Sequence, residues 1–223
     1  MHKLDKLYEG VPIYVISTGP SLRGFDFHRL DGRLTIGVNR VIEHYHPSIV
    51  HLVDVRAQKT HAAALSRYNG MIVAGPGCGA TATHANVFEI HRNLDTFELV
   101  DGRSSKSTKI GRSFSDGFFG GGAGCTALHA AILLGGSPIY LLGYDHYEEN
   151  GRHFDELDPS KNASPPDGFG YDETLEGLEL ISRESWIPPI YNCNPRSLVR
   201  CFPFIDLDAA LECGDTPLRS FGG

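Results

Sequence analysis

No run of this chain approaches the ~20 consecutive apolar residues that a membrane-spanning helix needs, so a soluble protein is expected. The opening stretch, MHKLDKLYEGVP, lacks both the apolar core and the small-residue cleavage site of a signal peptide, and the expected compartment is the cytoplasm. Cysteine is sparse. Cys78, Cys125, Cys193, Cys201 and Cys213 are odd in number, scattered and without a CxxC pair, a pattern that points to reduced thiols rather than a disulfide framework or a zinc site. Positive charge is short as well: 20 Lys and Arg face 27 Asp and Glu, a net charge of −7. That balance argues against nucleic acid as a partner, because proteins that track phosphate backbones carry a basic stripe. The 11 histidines change the balance only below about pH 6.5.

Several catalytic motifs are missing too. HExxH, GxxxxGK[ST] and GxSxG do not occur, which sets aside zinc proteases, P-loop enzymes and lipase-type hydrolases. GxGxxG does not follow the first apolar run, and the second run ends at Asn39 where an NAD-binding enzyme carries an acidic residue. Internal repeats and interdomain linkers are absent, and 223 residues are enough for one domain spanning 1–223 that buries roughly 70–75% of its unfolded surface.

What is present is alternation. Val11–Ser17 (VPIYVIS) reads as a buried parallel strand ended by Gly19-Pro20, and Phe25, Phe27 and Leu30 predict a short helix. Leu34–Val38 and Ile49–Val53 are further strands, ending on Asn39 and Asp54, with a helix around Val41, Ile42 and Tyr45 between them. A helix over Ala57–Tyr68 leads to a strand at Met71–Ala74, and 101–117 (DGRSSKSTKIGRSFSDG) predicts a mobile loop. Gly120–Gly124 opens the clearest helix, Cys125–Leu134, which ends on Gly135-Gly136 before a strand at Ile139–Leu142. A polar loop, 148–167, precedes a helix over Asp172–Ser185 and a strand at Pro189–Asn192, with Asn194-Pro195-Arg196-Ser197 capping a short helix. The expected fold is α/β: a modified Rossmann-type, mostly parallel open sheet with helices on both faces, whose ligand sits outside the carboxyl ends of the strands.

Three constellations fall at that edge. Gly19-Pro20-Ser21 reads either as a phosphate or sugar-nucleotide seat, with Ser21 offering a hydroxyl and an N–H, or as a plain strand-to-helix turn with a serine cap. Gly122, Ala123 and Gly124 open a helix with exposed N–H groups, a second anion seat, unless the glycines only permit close helix packing. The run Gly143–His153 gathers reactive side chains: Tyr147 and His153 as proton or hydrogen-bond donors to a leaving group, and Asp145 to orient one of them or hold a cation. His44, His46 and His51 resemble a metal cluster, but strand and helix geometry scatters them, and no metal site is expected.

The blocks GPSL, RLDGRLTIGVNR, GGAGCTALHAAILLGGSPIYLLGYDHYEENGRHF and IYNCNPRSLVRCF resemble, in order, blocks of two related groups. These are the bacterial sialyltransferases of glycosyltransferase family 42 and the 6-hydroxymethylpterin diphosphokinase-like family, both with modified Rossmann-type sheets. The resemblance runs over about Ile13–Phe202. The first group implies a nucleotide-sugar donor, CMP-linked, no cofactor, and a glycan or small hydroxyl acceptor. It implies that Gly19, Pro20 and Ser21 line the nucleotide, that Asn39 contacts its ribose or phosphate, that Ala123 and Gly124 lie near the donor, and that Tyr147 and His153 steady the departing phosphate. Those enzymes carry a basic histidine before the next helix, where Asp167–Tyr171 here has none, and His153 is the substitute on offer. The second group implies ATP and Mg²⁺, with Asp54 or Asp145 holding the metal, although HLVDVRA lacks the DxD arrangement of that activity. A nucleotide-binding module without catalysis is the third reading, and self-association into a homo-oligomer is left open.

Overall fold

A computed structural model of the chain describes residues 3–78, 86–91, 98–100, 103–106, 109–120, 122–146, 153–155 and 171–213. Six of the seven strands of the main sheet form where the apolar runs place them, and the seventh, Val87–Glu89, is not among those expected from the sequence. The seven are β1 (Ile13–Ile16), β2 (Leu34–Val38), β3 (Ile49–Leu52), β4 (Met71–Ala74) and β5 (Val87–Glu89), followed after an excursion by β8 (Ile139–Leu142) and β9 (Ile190–Asn192). All seven are parallel, in the order β5-β4-β3-β2-β1-β8-β9. The chain winds outward from β1 to β5, then returns to the other side of β1 as β8. Strand order therefore reverses between β1 and β8, where a crevice opens at the carboxyl edge of an open α/β sheet.

Buried strands carry apolar residues on both faces, and here the two faces feed different cores. Ile13 and Val15 of β1 and Ile139 and Leu141 of β8 join Leu34, Ile36 and Val38 of β2 under α3 (Ala123–Leu133) and α4 (Tyr171–Ser182). Tyr14, Ile16, Tyr140 and Leu142 face the opposite side, against Leu22, Leu30, Ala210 and Leu211, the last two from α5 (Leu207–Cys213). Val50 and Leu52 of β3 pack there with Ala64 and Leu65 of α2 (Ala62–Leu65), which follows α1 (Val55–Thr60). Every residue of α3 after Gly124 is buried, as its nearly uninterrupted apolar sequence requires of a helix between a sheet and another helix.

Four local expectations are corrected. Between β1 and β2 the chain makes two single 3-10 turns, Pro20–Leu22 and Phe27–Leu30, in place of a helix. Gly24, at φ +73°, breaks the run, and the aromatic residues reach the core without a full helical turn. The residues after β2 likewise form a 3-10 turn, Asn39–Glu43. The segment 101–117 contains β7 (Arg103–Lys106), paired antiparallel with β6 (Glu98–Val100), and a 3-10 turn at Phe114–Asp116. Asn194–Ser197 forms no helix; its side chains wire the ends of β8 and β9 together, as described below.

Candidate functional site

A cleft of about 550 Å³ opens at the carboxyl edge of the sheet, astride the reversal in strand order. Gly19, Pro20, Asn39, Asp54, Ala123, Gly124, Asp145 and His153 all line it, so eight of the residues singled out in the sequence converge. Ser21 and Gly122 lie outside the lining, and Tyr147 lies outside the described residues. The three histidines His44, His46 and His51 do not converge: His44 meets Asp155, His46 packs edge-on to Tyr68, and His51 is buried against Thr126.

The floor of the cleft is held by Asp145. Its carboxylate is 1% exposed and accepts from the Ser21 N–H at 2.6 Å, the Ser21 hydroxyl at 2.6 Å and the Asn194 amide at 2.7 Å. Ser21 thus spends both of its donors inside the protein, which corrects the expectation that they face a phosphate. Gly19 is glycine for the same reason: a Cβ there would overlap Asp145 Oδ2 and the Gly143 carbonyl oxygen. Ser197 continues the wiring, its hydroxyl donating to the Tyr144 carbonyl at 2.5 Å.

α3 forms the back wall. Gly122, its N-cap residue, supplies no side-chain cap, and the first turn contains no acidic residue, so among the described residues no side chain caps the first-turn N–H groups at the positive end of the helix dipole. The glycine run divides by role. Cβ atoms at Gly120 and Gly122 would overlap Cys125 and Thr174, so these two admit close packing, while Ala123 and Gly124 face the cleft. Tyr144, fully buried, donates its hydroxyl to the Gly124 carbonyl at 2.8 Å, and burial raises its pKa well above the usual phenol value.

The remaining walls come from β2, β3 and the segment 153–155. Asn39 lies at φ +45°, a left-handed conformation that asparagine tolerates better than most residues. Its Oδ1 accepts from the Val53 N–H at 3.3 Å, and Nδ2 makes no hydrogen bond among the described residues. Asp54 caps α1 through the Ala57 N–H at 2.9 Å. The segment 153–155 is tied across the rim: His153 Nδ1 lies 2.9 Å from the Thr18 hydroxyl, the Phe154 N–H donates to the Thr18 carbonyl, and Asp155 takes Arg40 at 2.9 Å and His44 at 3.2 Å. Burial alone would raise the Asp155 pKa, but Arg40 and His44 outweigh it and hold the carboxyl below its usual value.

Thr18, Arg40, Arg56, His61, His146 and Thr174 also line the cleft and were not singled out from the sequence. Thr18 and Arg40 had a visible signal beside Gly19 and Asn39, Arg56 follows Asp54 by two positions, and His146 lies inside the 143–153 run; His61 and Thr174 sit in no motif. The two aspartates expected to hold Mg²⁺ differ in how far they are engaged. Asp145 is engaged by three internal donors, whereas Asp54 caps α1 with one oxygen and has its other oxygen 3.8 Å from Arg56 at the edge of the cleft. Burial pushes the thiols of Cys125 and Cys193 up to about 12, which leaves neither a thiolate nucleophile at neutral pH.

No family model matches the chain, and neither does any curated protein. Solved structures do. The MAf glycosyltransferase of Magnetospirillum magneticum AMB-1 aligns over 92% of this chain with a TM-score of 0.60 at 15% identity; the chain spans 35% of that protein. The sialyltransferase CstII of Campylobacter jejuni in complex with the substrate analogue CMP-3FNeuAc aligns over 87% of this chain and 86% of its own, with a TM-score of 0.51 at 17% identity. The same enzyme with cytidine-5'-monophosphate gives 0.52 at 15% over 88% and 85%. At these identities the shared property is the fold. The likeness falls on the sialyltransferase side of the sequence resemblance, and the diphosphokinase side has no counterpart among these structures.

Proposed function

We propose that this chain is a nucleotide-dependent transferase of the glycosyltransferase kind, which takes a nucleotide-sugar donor, CMP-linked by preference, and passes the sugar to a hydroxyl of a glycan or small acceptor. The observation that carries the reading is the cleft itself. An uncapped helix N-terminus opens into a space of about 550 Å³, within the ~300–1,000 Å³ typical of small-ligand sites. The fold shared with two glycosyltransferases supports the same reading.

In this reading the first-turn N–H groups of α3 and the adjacent Arg40 and Arg56 receive the donor phosphate, and Asn39 Nδ2 meets the ribose or phosphate. The anomeric carbon–oxygen bond breaks with its electron pair on the phosphate oxygen, and His153, its ring held through Thr18, donates a hydrogen bond or proton there. Asp145 acts one step back, by fixing the Gly19–Ser21 turn. The diphosphokinase alternative loses Asp145 as a metal ligand to internal bonds and has no counterpart among the similar structures.

The test is a thermal-shift panel of CMP, UMP, GMP and ADP. CMP is expected to raise the melting temperature, and Asn39→Gly to abolish most of that rise, because glycine keeps the positive φ and removes only the side chain. No shift with any of the four sinks the proposal; a CMP shift without donor turnover supports a binding module in its place.

A further inference from the structure

The resemblance leaves a catalytic gap, since the histidine that sialyltransferases carry before the helix now seen as α4 is absent from 167–171. We propose that His61, oriented by Glu43, is the general base of this cleft. The inference rests on the donor reading above.

His61 lies at the junction of α1 and α2, is 7% exposed and lines the cleft from the β3 side. Its Nδ1 is 2.6 Å from Glu43 Oε1. An ionised carboxylate only accepts hydrogen bonds, so Nδ1 carries the proton and the lone pair of the neutral ring sits on Nε2. Nε2 makes no hydrogen bond among the described residues. A ring fixed in one tautomer by a carboxylate, with its basic nitrogen unspent, is the arrangement in which an imidazole works as a base. Glu43 is a positioning residue: it stands 42% exposed at the end of the 39–43 turn and stabilises the imidazolium that forms.

The walls then divide the work. His153, on Thr18 at the β1 end, serves the departing nucleotide, while His61, beyond the ends of β2 and β3, serves the incoming acceptor. The acceptor O–H proton passes to His61 Nε2 as its oxygen forms the new bond to the anomeric carbon. The old carbon–oxygen bond leaves its electron pair on the nucleotide phosphate. The charged groups that line the cleft with His61 are Asp54 and Arg56 from the start of α1, Arg40 from the 39–43 turn, and Asp145 after β8.

Water is the simplest acceptor, so the test follows CMP release from CMP-N-acetylneuraminic acid across pH 5–9, beside the CMP thermal shift of each variant. His61→Gln is expected to keep the CMP shift and lower release by about 10²–10⁴-fold. Glu43→Gln is expected to lower the kcat of release, though less than His61→Gln does, while leaving KM and the CMP shift unchanged, and Glu43→Asp to recover part of the rate. A merely structural contact would not single out kcat in this way. Release unchanged in His61→Gln, with the CMP shift intact, overturns the base assignment alone; absence of any nucleotide shift in the unmodified chain overturns the donor reading, and the base with it.

Discussion

Gly19 and Asp145 show how much of the cleft is decided by single atoms. The carboxylate accepts three donors from two distant segments, and only a residue without a Cβ lets the turn come close enough for them to meet it. Removing the carboxylate strands those donors in a buried setting, where each unsatisfied group costs about 1–3 kcal/mol. Asp145→Ala should therefore lose about 2–4 kcal/mol in urea unfolding, together with the CMP shift; an unchanged midpoint would remove Asp145 from this role. The convergence of Gly19, Asn39 and Asp54 was legible in the sequence because each ends an apolar run, and parallel strands bring such ends to one edge. The partner of Ser21 was not, because the 124 residues to Asp145 are bridged only by the completed sheet. The same holds for His61 and Glu43, which lie in two short turns with no motif.

At the scale of elements, α3 was the most readable part of the chain and the connections after β1 and β2 the least. A run of apolar and small residues as long as α3 suits only a helix covered all round, whereas a few apolar positions near Gly24 fit a 3-10 turn as well as an α-helix. α3 and β3 each bury a histidine fully, His129 and His51, and burial lowers both to about 4. His129 uses both nitrogens in the neutral form, accepting from the Phe119 N–H and donating to the Gly111 carbonyl. The unfolded chain binds protons at these rings below about pH 6.5 and the folded chain does not, so stability is full above that value and falls as pH drops toward 4. Each ring contributes on the order of 3 kcal/mol to this loss. Denaturation midpoints at pH 7, 5.5 and 4.5 should fall in that order, and His129→Gln should flatten the slope; equal midpoints would show that the rings are not held neutral.

The whole molecule is organised around β1, the strand that pairs with β2 on one side and β8 on the other. Amide exchange should follow that order, slowest in β1, β2 and β8 and faster in the edge strands β5 and β9, because opening the centre requires unfolding the sheet. Equal protection of β5 and β1 would contradict a single cooperative sheet. The β1–β8 pairing also has a consequence during synthesis. Its two halves are more than 120 positions apart, so a ribosome that has released β1 through β5 has made a stack of strands with half a cleft and no place for a nucleotide. Contacts of such long reach form late and slowly. Under the proposed function the chain gains its nucleotide seat only when the return strand docks, and CMP binding by a nascent or truncated chain would time the moment at which the topology closes.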